Sequence, residues 1–92
     1  MIRGFRDRDT ERLWNRQRVA RFGSFEGVGR RKLVMLNNAR RLGDLQSPPG
    51  NALESLKGDR KDQHSIRINQ RYRICFRWRD GDAYEVEITD YH

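Results

Sequence analysis

The chain has 92 residues, with 20 lysines and arginines against 13 acids, a net charge of +7, and charged residues at 36% of the total. A domain of this length buries roughly 60–70% of its unfolded surface, so it folds alone without much margin, as a single unit over residues 1–92. There is no apolar run for a membrane helix, no signal-peptide stretch in Met1-Ile2-Arg3-Gly4-Phe5-Arg6, and only Cys75 as a thiol, so a reducing cytoplasm is expected.

The elements follow in order. Ile2 and Phe5 mark a short first strand. Asp7 or Asp9 can cap a helix whose small apolar face is Leu13 and Trp14, with Thr10 and Glu11 in its first turn. Phe22-Gly23-Ser24 reads as a break, and Ser24 as the cap of a second helix running to about Leu42. Its stripe is Val28, Met35, Ala39 and Leu42, with Leu36 at the edge. Gly27 and Gly29 weaken its start, and Gly43 is the expected stop. The prolines of Ser47-Pro48-Pro49-Gly50-Asn51 define a loop that delivers the chain to Leu53.

From there the period is two. Ile66 and Ile68 alternate with Ser65, Arg67 and Asn69. Tyr72, Ile74, Phe76 and Trp78 alternate with arginines and Cys75, and Tyr84, Val86 and Ile88 with Glu85 and Glu87. Such alternation marks strands with one buried and one wet face. Asp80-Gly81 is a tight hairpin signal, and Asn69-Gln70-Arg71 a second turn in which asparagine tolerates a left-handed backbone. The order β-α-α-β-β-β-β gives an α+β fold: two N-terminal helices packed on one face of a small, mainly antiparallel sheet. The other face stays open, and Arg67, Arg73 and Arg77 should point into it.

No metal site is expected, because the only histidines are His64 and His92 and no Cys-x-x-Cys or His-Glu-x-x-His occurs. No phosphate loop of nucleotide-binding spacing occurs either, so no cofactor is expected. Cys75 falls on the polar parity, where exposure is expected, and reads as an ordinary strand residue rather than a nucleophile. Arginine's planar fork suits phosphate, so nucleic acid is the first partner to consider, ahead of charge serving solubility alone. Lys57, Arg67 and Arg73 can supply positive charge, Glu54, Asp90 and His92 can carry protons, and Tyr91 can stack on a base or donate its hydroxyl. Each has a plainer role as a solvated side chain or as the partner of Glu85 or Glu87 across the sheet.

Leu56-Lys57-Gly58-Asp59-Arg60, then Ser65-Ile66-Arg67-Ile68-Asn69 with Tyr72-Arg73-Ile74, and the terminal Asp90-Tyr91-His92 together resemble the HigB branch of the RelE/ParE toxin superfamily, the toxins of bacterial type II toxin–antitoxin pairs. The similarity runs the full length, including the Met-Ile-Arg start and the Ser47–Asn51 loop. It implies a RelE-like fold and an endoribonuclease that cuts messenger RNA in the ribosomal A site without metal, arresting translation. By position it assigns Asp90, Tyr91 and His92 to the catalytic end, and Lys57, Arg67 and Arg73 to the basic positions. Some HigB proteins have histidine where this chain has Glu54, so the general base stays open among Glu54, Asp90 and His92. The implied partners are ribosome, message and a HigA-like helix-turn-helix antitoxin, with no membrane. A ParE-like gyrase inhibitor and a non-catalytic RNA-binding module remain alternatives; the core-face placement of Tyr72, Phe76 and Trp78 speaks against the latter.

Overall fold

A computed structural model describes residues 1–90 of the chain. Helices α1 (Arg8–Trp14) and α2 (Glu26–Asn38) pack on an antiparallel sheet of β1 (Glu54–Ser55), β2 (Gln63–Arg67), β3 (Tyr72–Arg79) and β4 (Asp82–Asp90). The strands lie side by side in sequence order, β1-β2-β3-β4. The expected first strand is a bridged edge: Ile2 and Phe5 pair in parallel with Ala83 and Val86 of β4. Leu13, Phe22, Leu33 and Leu36 from the helical layer meet Ile66, Ile74, Phe76 and Val86 of the sheet, all fully buried.

Asp7 is the cap of α1, its carboxylate accepting from Thr10 N at 3.2 Å. The Thr10 hydroxyl accepts from Ile88 N at 2.9 Å, which pins the helix to β4. Helix α2 departs from the expected stripe. Leu33 and Leu36 face the core at 0% exposure, while Val28 and Met35 are only partly buried. Gly29 explains the rotation: a Cβ there would stand 3.2 Å from Leu13 Cδ2 and 3.4 Å from Phe25 Cδ1, so the helices approach each other at this glycine. The Phe22-Gly23-Ser24 break is a 3-10 turn, Ala20–Phe25, that buries Phe22 and Phe25, and α2 starts from Phe25 without a side-chain cap. The helix also stops early, at Asn38. The Asp44 carboxylate accepts from Arg40 N (3.0 Å) and Arg41 N (3.1 Å) and so caps a separate 3-10 turn, Leu42–Gln46, that contains Gly43. Those bonds hold the Asp44 carboxyl below its ordinary pKa.

Asp80 and Gly81 both have positive φ (52° and 83°), the backbone of a type I′ hairpin. The other turn works differently from expectation. Asn69 is not left-handed; its side-chain oxygen accepts from Arg71 N (2.8 Å) and Tyr72 N (2.7 Å). The third departure lies in β4. Cys75 pairs with Glu87 but Arg77 pairs with Tyr84, so β4 carries one extra residue opposite β3, and Glu85 there has φ 50°. Beyond this bulge the parity flips: Ala83, not Tyr84, takes the buried position, and Tyr84 comes to the face of Arg77.

Candidate functional site

The pleat sends Ser65, Arg67, Arg73, Arg77 and Glu87 to the sheet face away from the helical core. That face is not uniformly open. Gln63, Ser65 and Cys75 on it are buried, and so is Arg73, at 8% exposure. The expectation of an exposed Arg73 is therefore corrected. Its Nε donates to Ser65 Oγ at 2.7 Å and its Nη2 to Ala52 O at 2.5 Å, while Glu54 Oε2 stands 4.0 Å from Nη2. The reason is the segment ahead of β1: Ala52, with φ 44°, brings its carbonyl to the guanidinium. Glu54, opposite Ser65 across the β1–β2 pair, is exposed.

Arg67 sits directly opposite Arg73 and is exposed, its Nε donating to Asn69 O at 3.0 Å. Two like charges facing each other across a strand pair repel. Among the described residues, the exposed Glu54 is the one acid whose carboxylate pairs with this arginine row, at Arg73. Lys57 is exposed at the cap of a 3-10 turn, Gly58–Arg60, just past β1. Leu56 is buried yet lies outside the main core, with its N–H donating to Gln63 O, so it packs on the arginine side of the β1–β2 pair rather than under the helices.

The middle of the face is occupied by a polar network that sequence reasoning missed. Glu87 Oε1 receives Arg60 Nη1 at 3.1 Å and the Thr89 hydroxyl at 3.1 Å, and Arg6 approaches Oε2 at 3.8 Å. Arg60 also donates to Gln63 Oε1 at 3.2 Å. Arg77 pairs with Glu85 at 2.6 Å. Glu85 and Glu87 of β4 therefore engage Arg77, Arg60 and Arg6, and neither Lys57 nor Arg67 is among these partners. Ser65, Gln63 and Glu87 carried a signal, since each falls on the polar parity; Ala52 and Arg60 carried none. Cys75 is buried under this network, contrary to its expected exposure. Burial raises its thiol pKa, with a Thr89 hydrogen bond working the other way, so it is not poised as a thiolate.

Asp90 lies opposite Tyr72, on the helix-side parity, and its carboxylate meets Arg71 Nε (2.9 Å) and Nη2 (2.8 Å). The structure thus gathers Glu54, Ser65, Arg67 and Arg73 but leaves Asp90 round the end of the strand. Tyr91 and His92 lie outside the described residues. Among the described residues no cluster of three or more His, Cys, Asp or Glu could hold a metal, and no helix is long and apolar enough to cross a membrane.

A four-stranded antiparallel sheet backed by two N-terminal helices, with arginines paired on its far face, defines the class: a RelE-like toxin domain. Residues 3–92 match the family model described as the RelE-like toxin of the type II toxin–antitoxin system HigB, and the chain belongs to that family. It is similar to Toxin HigB-1 of Vibrio cholerae serotype O1, at 40% identity over 86% of this chain and 85% of the relative. It is also similar to a protein named Endoribonuclease HigB from Proteus vulgaris, at 36% identity over 66% of this chain and 65% of the relative. An uncharacterized protein of Haemophilus influenzae is 36% identical over 58% of this chain and 52% of its own length.

Proposed function

We propose that this toxin is an endoribonuclease that cuts messenger RNA on the ribosome and so arrests translation in the bacterial cytoplasm. The observation that carries the reading is the Arg67–Arg73 pair, face to face across β2 and β3 at the turn end of that hairpin. A phosphate between them relieves their repulsion and gains charge-assisted hydrogen bonds. RNA brings its own nucleophile, the 2′-hydroxyl, so the chain need only take that proton, neutralise the developing charge and protonate the leaving 5′-oxygen.

Arg67, exposed, binds the phosphate from solvent, while Lys57, exposed beyond the other end of β2, is left for a neighbouring phosphate of the RNA. Arg73 joins from below, braced by Ser65 and Ala52. Glu54, Asp90 and His92 are the proton carriers, with Glu54 nearest the arginine pair among the described residues. Asp90 must leave Arg71 to take part. Tyr91 stacks on a base or donates its hydroxyl, and Arg77 holds the strand farther along. No step in this scheme draws on a metal or cofactor. A catalyst with so few groups depends on having its substrate positioned, which is the reason to assign the ribosome as part of the substrate.

The partner is an antitoxin, as the toxin–antitoxin family implies, and we assign it to the HigA-like helix-turn-helix kind. It has a surface to cover: a groove beside α2 floored by Val34, Met35 and Ala39 and rimmed by Arg16, Arg30 and Arg31. Val34 is 47% exposed there. An amphipathic segment with acids flanking its apolar side complements that rim.

Induction of this protein in a bacterial host should stop growth, and the neighbouring antitoxin gene should relieve it. Purified protein should cut message in the presence of translating ribosomes and leave naked RNA largely intact. Growth arrest with every message intact would discard the nuclease and favour a gyrase-directed toxin.

A further inference from the structure

The bulge in β4 has no part in the phosphate chemistry, yet it changes what the arginine face can recognise. Alternation alone would send Tyr84 under the helices with Val86 and Ile88. Instead Glu85 takes a left-handed backbone, φ 50°, which costs energy for a residue with a side chain. The core position goes to Ala83, fully buried, and Tyr84 comes up opposite Arg77 on the polar face. There the Arg79 guanidinium carbon lies 5.3 Å from the centroid of the Tyr84 ring. Arg79 is exposed and Tyr84 half-buried, so the ring is seated on the sheet while its cover lies in solvent. Bulges recur beside functional sites because they re-aim a side chain.

Arg73, Arg77 and Arg79 share this face along one strand, since they are spaced by even numbers of residues. At the rise of an extended strand, Arg77 lies about 13 Å from Arg73. An RNA strand held by phosphate at the Arg67–Arg73 pair and led along β3 therefore passes Tyr84 within a short stretch of chain. Every nucleobase has a π-face, and both a tyrosine ring and an arginine plane stack on it.

We propose that Tyr84, with Arg79 over it, is a stacking platform for one nucleobase of the RNA, placed on the arginine face by the Glu85 bulge. In the absence of RNA the Arg79 guanidinium covers the ring. With RNA it moves aside and the base stacks on Tyr84, while Arg77 and Arg79 serve the adjoining phosphates. The platform is a binding and specificity device, not a catalytic one, and it rests on the endoribonuclease reading above.

The test uses the full chain with Tyr84→Leu, which removes the π-face but keeps an apolar side chain, and Tyr84→Phe, which keeps the ring. A fluorescein-labelled hexaadenylate is titrated against each protein, and cleavage of ribosome-bound message gives KM and kcat separately. Tyr84→Leu should bind hexaadenylate roughly tenfold or more weakly and raise KM with kcat nearly unchanged, while Tyr84→Phe stays within about twofold of the parent. Thermal melts of all three should coincide. Equal affinities and equal KM for Tyr84→Leu and the parent overturn the platform. So does a loss confined to a variant with a lowered melt, because the ring then only shields the sheet. A parent protein that binds hexaadenylate through Tyr84 but cuts nothing on ribosomes would sink the nuclease reading and leave the platform standing.

Discussion

Arg73 is the residue at which sequence and structure differ with most consequence. On a wet strand face an arginine replaced by alanine changes stability by within about 0.5 kcal/mol. At 8% exposure, bonded to Ser65 and Ala52, it is a different kind of residue. Hydrogen bonds to charged groups contribute about 1.5–3 kcal/mol each when buried. Arg73→Ala should therefore cost roughly 2–3 kcal/mol of stability and release the Ala52 segment, and toxicity should fall with it. Arg73→Lys keeps the charge but lacks the fork needed to reach two acceptors, so it should recover part of the stability and less of the activity. Urea melts beside cleavage assays separate the two effects. An Arg73→Ala protein with an unchanged melt would mean that Ser65 and Ala52 do not depend on it. The parity of Arg73 was legible from Ile74 and Phe76; its burial was not, because the carbonyl that covers it comes from a loop residue with no periodic signal.

At the scale of elements, strand alternation was the reliable guide and helix phase was not. The stripe drawn through Val28, Met35, Ala39 and Leu42 missed Leu33, because it scored hydrophobic residues without asking where a neighbouring helix could approach. Gly29 answers that question: bare backbone lets Leu13 and Phe25 close in, and the helix turns to suit. The faces of the strands were legible down to the Asp80-Gly81 hairpin except at Tyr84, because a bulge shifts parity without any glycine to announce it, while Arg73 and Cys75 lie on the expected face but are buried there. The β2–β3 turn gives a measurable case. Asn69 holds it through its side chain, with two backbone amides at 2.8 and 2.7 Å. Asn69→Ala should destabilise the fold by about 1 kcal/mol, discounted from a buried bond because the turn is wet. Asn69→Gly should do no better, since the lost bonds and not a left-handed backbone set the cost. If Asn69→Gly instead matched the parent in a urea melt, backbone freedom would be what the position requires.

For the whole molecule the question is where a net charge of +7 acts. Many of the arginines are already engaged: Arg21 with Asp7 and Asp9, Arg30 with Glu26, Arg60 with Glu87, Arg71 with Asp90 and Arg77 with Glu85. Arg67 is exposed where it faces Arg73 at the turn end of the β2–β3 hairpin, and that pair should do most of the work on phosphate. Salt dependence reads this directly. Each phosphate neutralised on single-stranded nucleic acid contributes about −0.7 to the slope of log affinity against log salt, because it releases condensed counterions. Arg67→Ala should make that slope shallower by roughly 0.7 and weaken binding alike on all sequences, as loss of a phosphate contact does. Arg12 is the control: it sits on α1, paired with Asp9 at 3.6 Å, and its replacement by alanine removes the same unit of charge from the helical layer. Arg12→Ala should leave the slope where it was. Titrating ribosome-bound message at several potassium concentrations measures all three proteins. Equal losses of slope for Arg12→Ala and Arg67→Ala would mean that the toxin is held by its overall field rather than by the Arg67–Arg73 pair, and the phosphate site would have to be sought elsewhere.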